Sequence, residues 1–392
     1  MGNDVSVIFL DSAPIGANRR PVKLLDGVAN LEWRTHYFAT RASSAIRLAW
    51  DRMRRLCLQA RFAATGVLSA GALSTRAFGL ERALFEADAD IYLAHNSETL
   101  LPAYNAARRR AAQLMFDSME FHSDMGEEQS ALEQRMTREL EKAVLLKCRL
   151  ILASSAQVAD ALAQEYGIPR PLPLDNVPPI EPELPVKPAS GLALYWRNSV
   201  VALGHRGLDE VFVALTSLPV DVTLHLQGRM PLDGGARLKS RIAELRLTPR
   251  VVFHPPYAPE DAVKEAARHH VGLCLERKGC RNHELTTSNK IFDYHMAGLV
   301  VVASDLPGLR GVLERSHGGL LFRPGSPKDL VERISRLRDD ANLRQTLARN
   351  AREFALCEGN REREREKFVA VFEEICGQQR KNLERPDTAD EL

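Results

Sequence analysis

No window of this 392-residue chain holds the roughly 18 consecutive apolar residues that a membrane-spanning helix needs. Net charge is nearly absent too: 53 basic residues against 51 acidic ones leave +2, so no global field points to a nucleic-acid partner. The six cysteines, at 57, 148, 274, 280, 357 and 376, have no metal-ligand spacing, and Cys274 with Cys280 is the closest pair. They read as reduced thiols of a cytoplasmic protein, so no structural disulfide or metal centre is expected. No G-x-G-x-x-G opens either half of the chain, which disfavours a nicotinamide dehydrogenase. Residues Met1 to Leu10 carry no basic region before a long apolar core; they read as a first strand rather than a signal peptide.

What is present is alternation. Strand candidates fall at Val5 to Leu10, Thr35 to Phe38, Asp90 to Ala94, Gln113 to Phe116 and Leu150 to Ala153. They recur at Leu192 to Trp196, Val220 to Gln227, Val251 to Phe253, Val271 to Leu275, Leu299 to Ala303 and Gly319 to Phe322. Helical patterns separate them, which is the mark of βαβ units and of doubly wound α/β sheets. An apolar content of 45% is enough for two ordinary cores of roughly 150 to 200 residues each. Five prolines crowd residues 177–190 and break both helix and sheet, so the chain divides into a domain over 1–176, that linker, and a domain over 191–360. A charged helix is expected over 361–380, and the tail 381–392 is expected to be disordered.

The densest segment is Ser288 to Gly308: a turn, a short helix ending at Gly298, an apolar β-branched strand, and a second turn at Asp305 to Gly308. The start of a helix after a loop offers unpaired N–H groups to a phosphate. Asp293, one turn further in, would reach the sugar of a nucleotide held there. Upstream, the run Trp196-Arg197-Asn198 ends a strand and Gly204-His205-Arg206-Gly207 leads into a helix with Leu208, Val211, Phe212 and Leu215 at helical spacing. Arg206 therefore stands on the carboxyl side of the strands, where open α/β sheets bind ligands. A guanidinium there suits phosphate oxygens, which it binds in pairs.

Asn289, Lys290, Phe292, Asp293, Tyr294, Ala297, Gly298, Val301, Val302, Ala303 and Ser304 match, without a gap, the donor motif of the retaining group 1 glycosyltransferases, with Asp293 in place of glutamate. The resemblance implies GT-B architecture: two Rossmann-like doubly wound domains facing across a cleft. It implies transfer of a sugar from a nucleotide-diphosphate sugar, a co-substrate rather than a bound cofactor, to a glycan, lipid-linked, protein or small-molecule acceptor. Arg206, Arg197, Ser288, Asn289, Lys290 and Asp293 would hold the donor, the cations on the diphosphate and Asp293 on the ribose. In the first half, Asp90 to Asn96 resembles the family segment whose last histidine lines the cleft, here His95. Asp117-Ser-Met-Glu120 resembles D-S-H-E, with Met119 in the histidine place. His95, Glu120 and Arg206 are the catalytic candidates, and Gly16, after the first strand, fits a close backbone approach to a substrate. No protein nucleophile is assigned.

Two departures stand against the family pattern. The place of a first motif glutamate holds Leu285, beside Glu284, and Met119 replaces a histidine. They favour, as the alternative, a catalytically degenerate homologue that binds a sugar nucleotide or a partner. A sugar-nucleotide epimerase is disfavoured by the transferase form of the motif. The D-x-D sequence Asp88-Ala-Asp90 precedes a strand rather than ending one, so metal-independent transfer is expected. Finally, residues 41–62 carry six arginines against Asp51, interleaved with Trp50, Leu56 and Phe62. This is either a domain helix or a basic amphipathic one that would place the protein peripherally on an anionic membrane.

Overall fold

The structure, a computed structural model, describes residues 5–11, 31–37, 45–188, 190–204 and 206–383. Gly16, His205 and residues 384–392 of the expected tail lie outside the described residues, as do 41–44 of the basic segment. The chain forms two compact units, Met1–Leu152 with Ala161–Leu172, and Ala153–Asp160 with Pro173–Leu392.

In the first unit, strands β1 (Val5–Asp11) and β2 (Leu31–Tyr37) pair in parallel, Val5 opposite Leu31. A second sheet has the order β3 (Ile91–His95), β4 (Gln113–Ser118), β5 (Leu150–Ala153), β6 (Leu172–Pro173). β3 and β4 are parallel, with His95 opposite Asp117. Helices Ser97–Arg110 and Ala131–Val144 connect the strands, the latter opened by a capping box between Ser130 and Glu133.

The basic stretch is a helix, Ala45–Thr65, with one side packed in the domain. Phe62 is fully buried and Leu58 packs beside it, while Arg55 pairs with Glu133 at 2.7 Å and Arg54 stacks 3.9 Å over Phe78. Trp50, Met53 and Leu56, however, are exposed. No helix among the described residues is long and apolar enough to cross a membrane.

The second unit is built on one six-stranded parallel sheet. Its strands are β7 (Leu192–Val200), β8 (Val222–Arg229), β9 (Val251–His254), β10 (Val271–Cys274), β11 (Val300–Ser304) and β12 (Gly319–Phe322). They lie in the order β12-β11-β10-β7-β8-β9. Numbered within the unit this is 3-2-1-4-5-6 read from the β9 edge, the Rossmann order. The direction of winding reverses between β7 and β10, and ligands of such sheets bind beyond the carboxyl ends of the strands at that point.

Both faces are apolar because helices cover both. On one, helix Leu208–Ser217 buries Leu208, Val211, Phe212 and Leu215 against Leu194, Trp196 and Leu224. Each such side chain contributes about 1.5–3 kcal/mol by leaving water. On the other, helix Lys290–Met296 is buried at every residue and joins a cluster with Tyr195, Cys274 and Val301. It lies so close to β10 that a Cβ on Gly272 would meet the Tyr294 ring at 2.4 Å. Gly298, at φ 65°, supplies the left-handed turn that ends it and starts β11. The terminal helix runs Arg361–Leu383, and its first turn is fastened to the segment after β6: Arg361 donates to the Pro178 carbonyl at 2.9 Å and Glu364 accepts from the Asp175 amide at 3.3 Å.

Candidate active site

The carboxyl ends of β7 and β10, with the start of helix Lys290–Met296, bring together most of the donor-site candidates. Arg197, in β7, ion-pairs with Asp293, and its other terminal nitrogen donates to the Tyr257 hydroxyl at 2.8 Å. Both partners are largely buried, their side chains 19% and 13% exposed. Burial pushes the Asp293 carboxyl above its ordinary range, opposed by the adjacent Arg197 and by Arg361. Burial likewise disfavours the Arg197 charge, but contact with Asp293 outweighs it and holds the guanidinium above its ordinary value. The two therefore stand as a neutralised pair.

Arg206 sits one residue before the cap of helix Leu208–Ser217. Arg206 (φ 47°) and Gly207 (φ 73°) are both left-handed, so the chain reverses sharply between β7 and the helix. A left-handed arginine costs about 1–3 kcal/mol of local strain, the kind of strain that clusters at functional sites. The Arg206 guanidinium donates to the Glu276 carboxylate at 2.5 Å and remains partly exposed. Glu276, two residues after the end of β10, is buried, and its own amide donates to the Ser304 hydroxyl at 2.9 Å.

Lys290, the first residue of its helix, is buried with its ammonium 5.8 Å from the centre of the Trp196 ring. Burial lowers its pKa to about 8, Glu276 pulling it back up and Arg206 pressing it further down. Around this point two cations, Arg206 and Lys290, share one carboxylate, Glu276. Beside Lys290, Asn289 caps the helix without using its side chain and is exposed. Ser288 is half-buried and its side chain hydrogen-bonds the Cys274 thiol, which burial pushes up to about 12. The indole Nε1 of Trp196 and Nε of Arg197 are buried donors with no acceptor among the described residues.

The first unit holds a different arrangement of its own. His95 ends β3, and its Nδ1 lies 2.8 Å from the Asp117 carboxylate across the strand pair. The imidazole is 58% exposed. Asp117 also faces His122, whose burial lowers its pKa to about 4 despite that carboxylate. Glu120 is half-buried in the loop after β4, its carbonyl accepting from the Ser118 hydroxyl at 2.9 Å. Met119 beside it is exposed.

Three residues of these clusters escape the motif reading: Glu276, Tyr257 and His122. Glu276 alone had a sequence signal, as the first polar residue after the apolar run Val271 to Leu275. Leu285 and Glu284, around the missing motif glutamate, lie on the short helix Arg281–Leu285.

Comparison with known proteins agrees with this geometry. A family model described as glycosyl transferases group 1 matches residues 203–340, and one described as a glycosyl transferase 4-like domain matches residues 16–176. A search of the curated proteins gives no match. Among solved structures, HepE of Anabaena in complex with UDP-glucose superposes with a TM-score of 0.68 at 17% identity, over 94% of this chain and 99% of that one. Sucrose-phosphate synthase of Thermosynechococcus elongatus gives 0.65 at 17% identity, over 79% of each chain. A glycosyltransferase of Rickettsia africae gives 0.62 at 12% identity, over 90% of this chain and 86% of that one. The fold is GT-B, two Rossmann-like α/β domains. The chain is a glycosyltransferase, joining a glycosyl transferase 4-like domain to a group 1 domain.

Proposed function

We propose that the chain transfers a hexose from a uridine-diphosphate sugar to an acceptor with retention of anomeric configuration. The observation that carries this reading is the charge balance where β7 and β10 part. Arg197 and Asp293 cancel, while Arg206 and Lys290 face Glu276 alone. One positive charge is left over in a largely buried place, and an anionic diphosphate is the ligand that completes it. The structural neighbour HepE, bound to UDP-glucose, supports uridine as the base.

In the reaction, the bond between the anomeric carbon and the diphosphate oxygen breaks, and charge grows on that oxygen as the sugar becomes oxocarbenium-like. Arg206 and Lys290 stabilise the growing charge in a place of low dielectric, where each is worth far more than in water. The acceptor hydroxyl bonds to the carbon on the face the diphosphate leaves, and its proton passes to the leaving phosphate. Arg197 holds Asp293 in position for the ribose. The cations do the work a divalent ion does elsewhere, since Asp88 and Asp90 stand before β3, at its amino end, and Asp88 is paired with Arg110 at 3.2 Å.

The acceptor falls to the first domain, with His95, steadied by Asp117, and Glu120 as its polar contacts. A lipid-linked acceptor fits best, because helix Ala45–Thr65 exposes Trp50, Met53 and Leu56 beside the exposed Arg52 and Arg61. That pattern suits a peripheral contact with an anionic membrane surface.

A thermal-shift panel of UDP-, GDP-, dTDP-, ADP- and CMP-sugars on wild type and Arg206→Ala tests the donor site. Stabilisation by UDP-sugars that the variant loses is expected. No response to any nucleotide sugar would sink the reading. Binding without release of UDP in the presence of lipid, glycan and peptide acceptors would turn it to the degenerate homologue that Leu285 and Met119 suggest. Product NMR reads the anomeric configuration.

A further inference from the structure

On the β8–β9 side of the second sheet, three imidazoles converge from three separate segments. His225 lies in β8, His254 ends β9, and His269 stands two residues before β10. One ring nitrogen from each lies within 4.8 Å of the other two. His225 Nδ1 is 2.9 Å from His254 Nε2, and their rings stack with centroids 5.2 Å apart. His269 meets both edge-on, at 4.6 and 5.8 Å, and stacks on Tyr195 at 4.4 Å.

The outer nitrogens show what the inner ones are for. His225 Nε2 lies 3.1 Å from the Thr223 hydroxyl, and His269 Nδ1 lies 3.1 Å from the Ala266 carbonyl. A carbonyl only accepts, so His269 carries its proton on Nδ1 and keeps a lone pair on Nε2. The Thr223 hydroxyl can accept from His225 Nε2–H, which turns Nδ1 to the centre; the 2.9 Å contact between His225 Nδ1 and His254 Nε2 then holds one proton, which a bound metal would displace. Anchoring one ring nitrogen to a protein oxygen while the other faces a shared centre is the outer-shell pattern of metal-binding histidines. Neutral imidazole is the form that ligates, and three of them with one open position are a zinc-type ligand set. The three imidazoles are the protein's ligand set, and water would supply the fourth ligand.

We propose that His225, His254 and His269 form a binding site for a divalent transition metal of the zinc class, distinct from the donor site. The metal would bridge β8, β9 and the segment before β10. It would also brace the polar layer on that face, where the Tyr195 hydroxyl donates to Gln227 and Gln227 donates to the Pro255 carbonyl at 3.1 Å. The inference stands apart from the transfer reaction, in which this metal takes no step.

The test uses the tag-free full-length chain, stripped with chelator and then given ZnCl2 or CoCl2. Expected are one equivalent of zinc retained through gel filtration, a rise in melting temperature with ZnCl2 that chelator reverses, and visible d–d absorption of bound cobalt. His254→Gln should weaken zinc by more than the about 10–100-fold typical of losing an outer-shell partner, and Thr223→Val by about tenfold. His317→Asn, an exposed histidine elsewhere, should change nothing. The response of each variant to UDP-sugar, compared with wild type, checks that the domain is folded and separates this result from the donor reading. Absence of stoichiometric zinc in the wild type, or equal retention by a folded His254→Gln, overturns the proposal.

Discussion

The polar clusters of the two domains sit at comparable places, beyond the carboxyl ends of parallel strands, yet they differ in how they hold charge. In the group 1 domain, Arg197, Asp293, Lys290 and Glu276 are largely withdrawn from water and tied to one another across three chain segments. In the glycosyl transferase 4-like domain, His95 and Asp117 are partners on adjacent strands, and the histidine stands more than half in solvent. Buried charge is poorly screened and pre-oriented, so it can stabilise a leaving diphosphate strongly. An exposed pair is screened and contributes about 0–1 kcal/mol to stability. Such a pair can still orient an acceptor, and it leaves room for acceptors of different shapes. Under the proposed function, donor chemistry falls to the rigid cluster and choice of acceptor to the open one.

The sharpest way to break this contrast is Arg206→Ala. Removing one preorganised partner of the diphosphate should lower kcat by about 10²–10³-fold. Loss of the thermal response to UDP should accompany it. An effect confined to KM in steady-state kinetics would mean that Arg206 only binds.

Lys290 comes next. Its pKa of about 8 lies well below the ordinary lysine value of 10.5. The protonated form is the one that meets phosphate, so kcat/KM should fall as pH rises through about 8. Its effect on stability has the opposite sign. Between about 8 and 10.5 the unfolded chain binds the proton that the folded chain has released, so the folded state gains as pH rises through that window. Lys290→Met should remove both trends, which a pH series of rates and of urea midpoints would show.

A smaller effect is expected at His95→Asn. With the loss of about one hydrogen bond, near 1–1.4 kcal/mol, kcat should drop by up to about tenfold. Donor binding and melting temperature should stay unchanged, since the histidine is exposed. A collapse of UDP binding in this variant would erase the division of labour between the domains. Smallest in solution is the change Trp50→Asp with Met53→Asp. Activity on a soluble acceptor should be unaffected, while co-sedimentation with anionic vesicles should be lost. Wild-type chain that ignores such vesicles would remove the membrane contact and leave Ala45–Thr65 a domain helix only.

Much of this architecture is legible in the sequence. The strands of the second domain fall where the apolar β-branched runs lie, because a strand covered on both faces must be apolar at successive positions. β6 was not legible, since two residues carry no period. The donor motif placed Lys290 and Asp293 on a short helix, and the spacing of Leu208, Val211, Phe212 and Leu215 placed Arg206 at its turn. The partner of Arg197 was not legible. The motif reading assigned that cation to the diphosphate, whereas here it pairs with Asp293, 96 residues away. Glu276 and the three clustered histidines escaped for the same reason. Each lies alone in sequence, and its partners stand on other segments.

The sequence by itself therefore determined the alternation of strands and helices and the residues at each strand end, because periodicity and turn chemistry are local. Only the tertiary structure decided which charges neutralise each other and which are left for a ligand. Those pairings follow from the strand order, which sets β10 beside β7 and so brings Glu276 to Arg206 and Asp293 to Arg197. Burial at that junction then sets the strength of each charge.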